Sequence, residues 1–326
     1  MGRLGTGNRR PPISSRLILR QEWSVPDFRG AATDRLPCSP GRKERPLRIL
    51  LTGATGFIGS AIGRRLVAAG HTVVGVARRP PPATPSHSWL ALDFMTHTTP
   101  ESWISALDGV DVVVNAVGII RERGGCTFEA LHAQAPIALF DACAAQGVSR
   151  VVQISAAGVD RGGTAYRTTK ARADAHLMTL EAQNPVILRP SLVFGDAGQS
   201  ARLFRTMASA PIIPLVGDGR FALRPVFVDD VAEAVVRAVA GRAASGIYPV
   251  GGEEEHTLAS MMRAYRDWLG GRGPLVSVPL PIMRFAARLG DLTGRGAIDS
   301  AELQDVTVLI GQAWSELAAV ALDAAP

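Results

Sequence analysis

Two scarce residue types stand four positions apart at Tyr166 and Lys170. The chain holds 33 Arg but only two Lys, Lys43 and Lys170, and only three Tyr. On a helix, positions i and i+4 share one face. An ammonium beside a phenol favours the phenolate and draws its pKa down from about 10. A tyrosine tuned in this way exchanges a proton near neutral pH. Arginine replaces that lysine poorly, because its charge is planar, wide and delocalised.

A second chemical pattern lies upstream. Gly53, Gly56 and Gly59 form GxxGxxG directly after the apolar run "RILLTG" and at the start of a helical period. Gly53 permits a tight turn, Gly56 lets backbone approach a pyrophosphate, and Gly59 lets helix and strand pack closely. The helix N-terminus then offers N–H groups to phosphate, with Thr55, Phe57 and Ile58 beside it. The strand that follows ends "VARRP", with Arg78 and Arg79 where a carboxylate for a ribose hydroxyl would stand. Guanidinium there suits a 2′-phosphate, so NADP(H) is expected over NAD(H). Asp93 closes the third strand, placed to accept from an adenine amino group. Asn115, Ala116 and Gly118 of "NAVG" close the fourth with small residues beside the cofactor.

These positions need a scaffold, and the periodicity supplies one. "RILLTG", "HTVVGVA", "SWLALDF" (88–94), "VDVVVNAVG" (110–118), "RVVQISAAG" (150–158) and "PVILRPSLVFG" (185–195) read as strands. Helical stretches separate them: one whose Ile58, Ile62 and Leu66 recur at four-residue spacing, one near 100–108, one over 127–147 with Pro136 as a kink, and one bearing Tyr166. Alternating strands and helices, with continuous apolar strands, predict an α/β fold: a Rossmann doubly wound parallel sheet with helices on both faces. We assign 47–195 to that sheet and 196–326 to a smaller C-terminal substrate lobe. Within the lobe, 224–252 returns to the sheet through a strand, an Asp-capped helix and "GIYPVGG". Residues 257–295 read as helical in pieces.

Charge narrows the function. The formal net charge is +6, yet residues 1–46 alone carry nine Arg, one Lys and four acids, so the remainder is neutral. The excess lies in a Pro/Gly/Ser-rich arm without sustained period, expected to be disordered or to be residues added by an upstream start codon, with an organelle transit peptide as the alternative. No basic surplus remains for nucleic acid. Three Cys without CxxC spacing and six His without HExxH spacing predict no metal and a reducing compartment. No apolar run reaches 18 residues, so no transmembrane segment is expected.

The glycine turn, Asp93, "NAVG", Tyr166-x-x-x-Lys170, "RPSLVFG" and "PVFVDDVAEAV" stand in the order of the extended short-chain dehydrogenase/reductases, the group that includes the NAD-dependent epimerases and dehydratases. The resemblance covers about 47–250. In detail, "NAVGIIRERGGCTFEALHAQAP" and "PIIPLVGDG" are similar to the atypical branch around the NAD(P)H-binding accessory subunit of respiratory complex I and its bacterial relatives. The resemblance implies hydride transfer on a small-molecule substrate. Tyr166 is then general acid/base, Lys170 also binds the nicotinamide ribose, and Pro190 of "RPSLVFG" lines the cofactor. It implies a Ser or Thr after the fifth strand as third catalytic member. Ser155 matches the first serine of that pattern, but the two usual positions read Ala156 and Ala157, and Thr164 is a weaker substitute. His132 takes a place where Asn is usual, and a core or rim role is expected for it. The branch also implies an alternative: an NADP(H)-binding accessory protein with little turnover, partnered with a respiratory or membrane-associated complex. The expected location is cytoplasmic in a bacterial source, or peripheral to the inner face of the membrane.

Overall fold

The computed structural model describes residues 45–278, apart from 83–86, 121, 123, 196–203, 206, 217–218 and 221. The basic arm, but for its last two residues, and the part of 257–295 beyond 278 lie outside the described residues.

Seven parallel strands form the central sheet: β1 (Arg48–Thr52), β2 (Thr72–Ala77), β3 (His87–Ala91), β4 (Val112–Asn115), β5 (Arg150–Ile154), β6 (Val186–Pro190) and, from late in the chain, Gly246–Val250. Their order is Gly246–Val250, β6, β5, β4, β1, β2, β3, with every neighbouring pair parallel. The inner strands carry runs of consecutive apolar residues because both faces are covered. Ile49 and Leu51 face one core cluster while Leu50 faces the other, the period of two expected of a strand. On the first face lie α1 (Phe57–Ala68) and a later helix, Val228–Val239, packed on each other. On the second lie the 3-10 helix Pro100–Leu107 with buried Trp103, then α2 (Ala135–Ala145) and α3 (Ala165–Thr179).

Several local expectations shift. The third and fifth strands stop at Ala91 and Ile154, which leaves Asp93 and Ser155 in the loops that follow. The expected helix over 127–147 opens as a π-helix, Glu129–Gln134, before α2 begins. Pro136 is the reason: it has no N–H to give the carbonyl of His132, and its ring crowds that carbonyl, so the preceding turn widens. The "PVILRPSLVFG" run divides into β6 and a two-residue strand β7 (Val193–Phe194). The helix at Val228 is not Asp-capped; its N-cap is Phe227 with no side-chain bond, while Asp229 and Asp230 sit in the first turn, where they complement the helix dipole.

The remaining short strands are β8 (Ile213–Val216), β9 (Ala222–Leu223), β10 (Val226–Phe227), β12 (His256–Thr257) and β13 (Leu275–Val278), with Gly246–Val250 as β11. Val228–Val239 is α4 and Leu258–Trp268 is α5. β13 falls in the 257–295 stretch expected to be helical in pieces, because "LVSV" between prolines is too short to show a period. β8, β13 and α5 enclose a small separate core of Ile213, Leu215, Leu258 and Met262, with Phe204 and Met207.

Candidate active site

The strand order reverses between β1 and β4, and the crevice above their carboxyl ends is where open α/β sheets take ligands. Gly53 turns the chain there with φ +68°. A Cβ at Gly53 would lie 2.6 Å from the Ala116 carbonyl oxygen, so β1 and β4 leave the sheet in close contact. A Cβ at Gly59 would come within 2.1 Å of the Gly53 carbonyl oxygen, so α1 starts tight against the turn. Gly56 is the N-cap, with no capping side chain and no acid in the first turn. Thr55 and Gly56 are exposed, and Phe57 and Ile58 are half-buried. The result is an uncapped helix N-terminus behind a turn that only glycine can make, a cradle that fits a pyrophosphate. Phe57 closes one side against Gly195, where a Cβ would lie 3.1 Å from its ring.

Around this cradle the other positions divide. Arg78 and Arg79 are exposed just past β2. Asp93 forms a local turn, its Oδ1 accepting from the Met95 N–H at 3.0 Å. Asn115 is fully buried. Its Oδ1 accepts from Thr52 Oγ1 at 2.5 Å and its Nδ2 donates to Gln153 Oε1 at 2.7 Å. These three residues are in register across β1, β4 and β5, so the Asn115 amide braces the strands rather than facing the crevice. Gly118 is exposed, and a Cβ there would stand 3.6 Å from Lys170 Nζ. Pro190 ends β6, and its carbonyl accepts from the Ala157 N–H at 2.8 Å.

Lys170 and Tyr166 meet as their spacing requires. Both lie on α3, whose N-cap Thr164 accepts from the Arg167 N–H; the Thr164 hydroxyl therefore serves the helix start. Lys170 is only 4% exposed, with Nζ 5.8 Å from the centre of the Tyr166 ring. Nζ donates to the Ile154 carbonyl at 3.3 Å. Burial lowers its pKa from 10.5 to about 8, against an opposing pull from Asp174. His132 packs edge-on to Tyr166, with ring centres 5.2 Å apart, and stacks on Phe128. Its Nε2 accepts from the Ile119 N–H at 3.0 Å, which makes Nδ1 the protonated nitrogen of the neutral ring. Burial and Lys170 lower its pKa to about 3, so His132 is an uncharged wall of the site.

Ser155 is buried, and its hydroxyl donates to Asp174 Oδ2 at 2.8 Å. That hydrogen therefore points into the protein. Asp174 also accepts from Arg189 Nε at 3.1 Å. Asp174 and Arg189 are site residues that sequence reasoning missed. The signal for Asp174 was present as Lys170-x-x-x-Asp174, the same one-turn spacing that marked Tyr166. Ala156 is half-buried and Ala157 exposed, so no hydroxyl stands at the two positions beyond Ser155.

A turn-and-helix cradle at the switch point, with a Tyr–Lys pair beside it, is matched by a family model for the NAD dependent epimerase/dehydratase family over residues 49–251. The chain belongs to that family. An uncharacterised protein of Mycobacterium tuberculosis is 29% identical over 267 residues, 81% of this chain. The chain spans only 27% of the length of that protein. The mitochondrial NADH dehydrogenase (ubiquinone) 1 alpha subcomplex subunit 9 of Arabidopsis thaliana is 27% identical over 248 residues, 72% of this chain and 61% of that one. Among solved structures, the UDP-glucuronic acid 4-epimerase of Bacillus cereus, crystallised with UDP-glucuronic acid and NAD, superposes with a TM-score of 0.60. It shares 19% identity and covers 72% of this chain and 86% of its own, a likeness of fold. Among the described residues no helix is long and apolar enough to cross a membrane, and no cluster of His, Cys, Asp or Glu is arranged to hold a metal.

Proposed function

We propose that the protein is an NADP(H)-dependent oxidoreductase acting on a small carbonyl or alcohol, with Tyr166 as its general acid/base. The observation that carries this reading is Lys170, buried one helical turn from Tyr166 and against Gly118 at the crevice. The dinucleotide, when bound, supplies or accepts the hydride. The chain does the rest. Gly53, Thr55, Gly56, Phe57, Ile58 and Gly59 shape the phosphate cradle, with Ala116, Gly118 and Pro190 lining the crevice. Arg78 and Arg79 take the 2′-phosphate, and Asp93 takes the adenine edge through the carboxylate oxygen not bound to Met95. Lys170 holds the Tyr166 phenol in a readily ionised state, so the phenol hands its proton to the carbonyl oxygen, or removes one from the alcohol. Ser155 does not complete this set, because its one donor hydrogen is engaged by Asp174.

The test is the pair of Tyr166→Phe and a double Arg78→Ala/Arg79→Ala variant. Tyr166→Phe is expected to lower kcat by about 10²–10⁴-fold with little change in nucleotide Kd. The arginine variant is expected to weaken NADPH at least about tenfold more than NADH. Unchanged turnover in the first would overturn the acid/base role, and equal weakening in the second the NADP preference.

A second reading has its own support: a cofactor-holding accessory protein, with a respiratory or other membrane-associated partner and a cytoplasmic or inner-face location. Ala156 and Ala157 favour it, since neither position carries a hydroxyl to hold a substrate oxygen, and so does the relative named as an NADH dehydrogenase subunit. Ala157→Ser discriminates. Its side chain is exposed at the crevice, and a restored donor is expected to raise kcat by about 10–100-fold if substrate reacts there. No gain, with tight nucleotide retention, favours the accessory role.

A further inference from the structure

Asp174 is a buried acid to which the proposed proton transfer assigns no part. It is 1% exposed and lies one turn beyond Lys170 on α3. The two side chains grip consecutive residues at the end of β5: Lys170 the carbonyl of Ile154, Asp174 the hydroxyl of Ser155. Hence they lie side by side under the loop that carries Ala156 and Ala157. Both bonds to the Asp174 carboxylate, from Ser155 and from Arg189, fall on Oδ2. Oδ1 is buried and has no hydrogen-bond partner among the described residues.

We propose that Asp174 is a positioning residue for Lys170: its buried carboxylate keeps the neighbouring amine protonated, and through Ser155 it fixes the strand end on which that amine rests. The inference rests on the reading of Lys170 as the residue that tunes Tyr166. An ammonium has three donors, and Lys170 uses one on a neutral carbonyl. Removed from water, its charge needs an anion nearby. Among the described residues the surroundings offer no other buried one. On α3 itself Lys170 has Tyr166 and Asp174. The π-helix brings neutral His132, and Glu129, which Arg172 holds at the surface. The turn before α3 brings Asp160, exposed and 3.7 Å from Arg189. β6 brings the cation Arg189, and on α2 Asp141 is bound by His176. Asp174 is the one buried carboxylate among them. Burial raises the Asp174 carboxyl, against the bonds from Ser155 and Arg189 that hold it ionised, and burial lowers the Lys170 ammonium, so the two are titrating neighbours whose charges support each other.

The chain's lysine count makes the test direct. Lysine-selective labelling with ¹³C and ¹⁵N gives two side-chain signals, and Lys43→Arg identifies which belongs to Lys170. The full chain is titrated by NMR without nucleotide or substrate. Asp174→Asn is expected to lower the Lys170 midpoint by at least one pH unit, a tenfold loss of proton affinity. Asp174→Glu is expected to restore it. Ser155→Ala, which removes the tie but not the charge, is expected to leave it within a few tenths of a unit. An unchanged midpoint in Asp174→Asn would overturn the proposal. Should that variant not fold, Asp174→Ser reads the same coupling: the charge is gone while a hydroxyl remains to meet Ser155 and Arg189. The Lys170 midpoint is again expected to fall by at least one pH unit, and an unchanged one is equally fatal. The readout needs no turnover, so failure of the oxidoreductase reading and failure of this one are separate results.

Discussion

Replacing Lys170 by Met is expected to make the protein more stable at neutral pH while it abolishes function. The pKa of Lys170 falls from 10.5 to about 8 on folding because the amine is buried. At ~1.4 kcal/mol per pH unit, holding the charged form in the fold costs about 3 kcal/mol below pH 8. Between pH 8 and 10.5 the unfolded chain binds more protons than the folded one, so stability rises with pH across that window and the cost disappears above it. Met fills the same space without the charge. Two losses oppose the gain. The bond to the Ile154 carbonyl goes, worth ~1 kcal/mol. Burial raises the Asp174 carboxyl, and losing Lys170 adds to that, but Lys170 is the weakest of the influences that oppose the rise, behind Ser155 and Arg189. The gain outweighs them, by about 1–2 kcal/mol at pH 7. Urea unfolding of both proteins at pH 7, 8, 9 and 10 measures it. The Met variant's advantage should shrink with pH and reverse by about pH 10. A variant less stable than the parent at pH 7, or a difference flat across the series, would falsify the claim that burial dominates Lys170.

Gly59→Ala puts a methyl 2.1 Å from the Gly53 carbonyl oxygen, backbone against backbone, so the cradle must open. A loss of at least about 1–3 kcal/mol in chemical denaturation is expected, with nucleotide binding lost by fluorescence titration even where the chain still folds. His132 should show one neutral tautomer, protonated at Nδ1, in ¹⁵N NMR down to about pH 5, because its pKa lies near 3. A titration midpoint between 6 and 7 would mean that the ring is not enclosed as described. Asn115→Ala removes the brace between Thr52 and Gln153 and leaves both buried partners short of a bond. A loss of about 2–3 kcal/mol is expected in the same unfolding assay.

The fold was legible wherever a segment was long enough to show its period. Strands such as "RILLT" and "TVVGVA" carry consecutive apolar residues between their ends because a parallel sheet is covered on both faces, and that is a property of the segment alone. Strands of two to four residues carry no period. β7 and β10 lie in segments read as strand, but their pairing with each other was not legible, and β13, which forms by pairing with the distant β8, could not be read locally at all. Pro136 marked a disturbance correctly in place but not in kind, since a kink and a π-turn both answer the same missing N–H.

The site divides along the same line. The glycine turn and the Tyr166–Lys170 spacing are local patterns, and each states its geometry within seven residues. Ser155, Asp174 and Arg189 come from three different elements, a strand end, a helix and another strand, and only the sheet order brings them together. Sequence could therefore present Ser155 as a hydroxyl in the right neighbourhood but could not say which way it points. That direction matters most for function. A serine aimed at Asp174 supports the lysine from below, whereas a serine aimed at the crevice would hold a substrate oxygen from above. With the first arrangement present and alanine at 156 and 157, the proposed oxidoreductase would have its glycine cradle and its Tyr166–Lys170 pair but no hydroxyl at either of those two positions to fix a carbonyl in line with them. The donor would then have to come from elsewhere, which is why Ala157→Ser separates the two readings of function more sharply than any loss-of-function change.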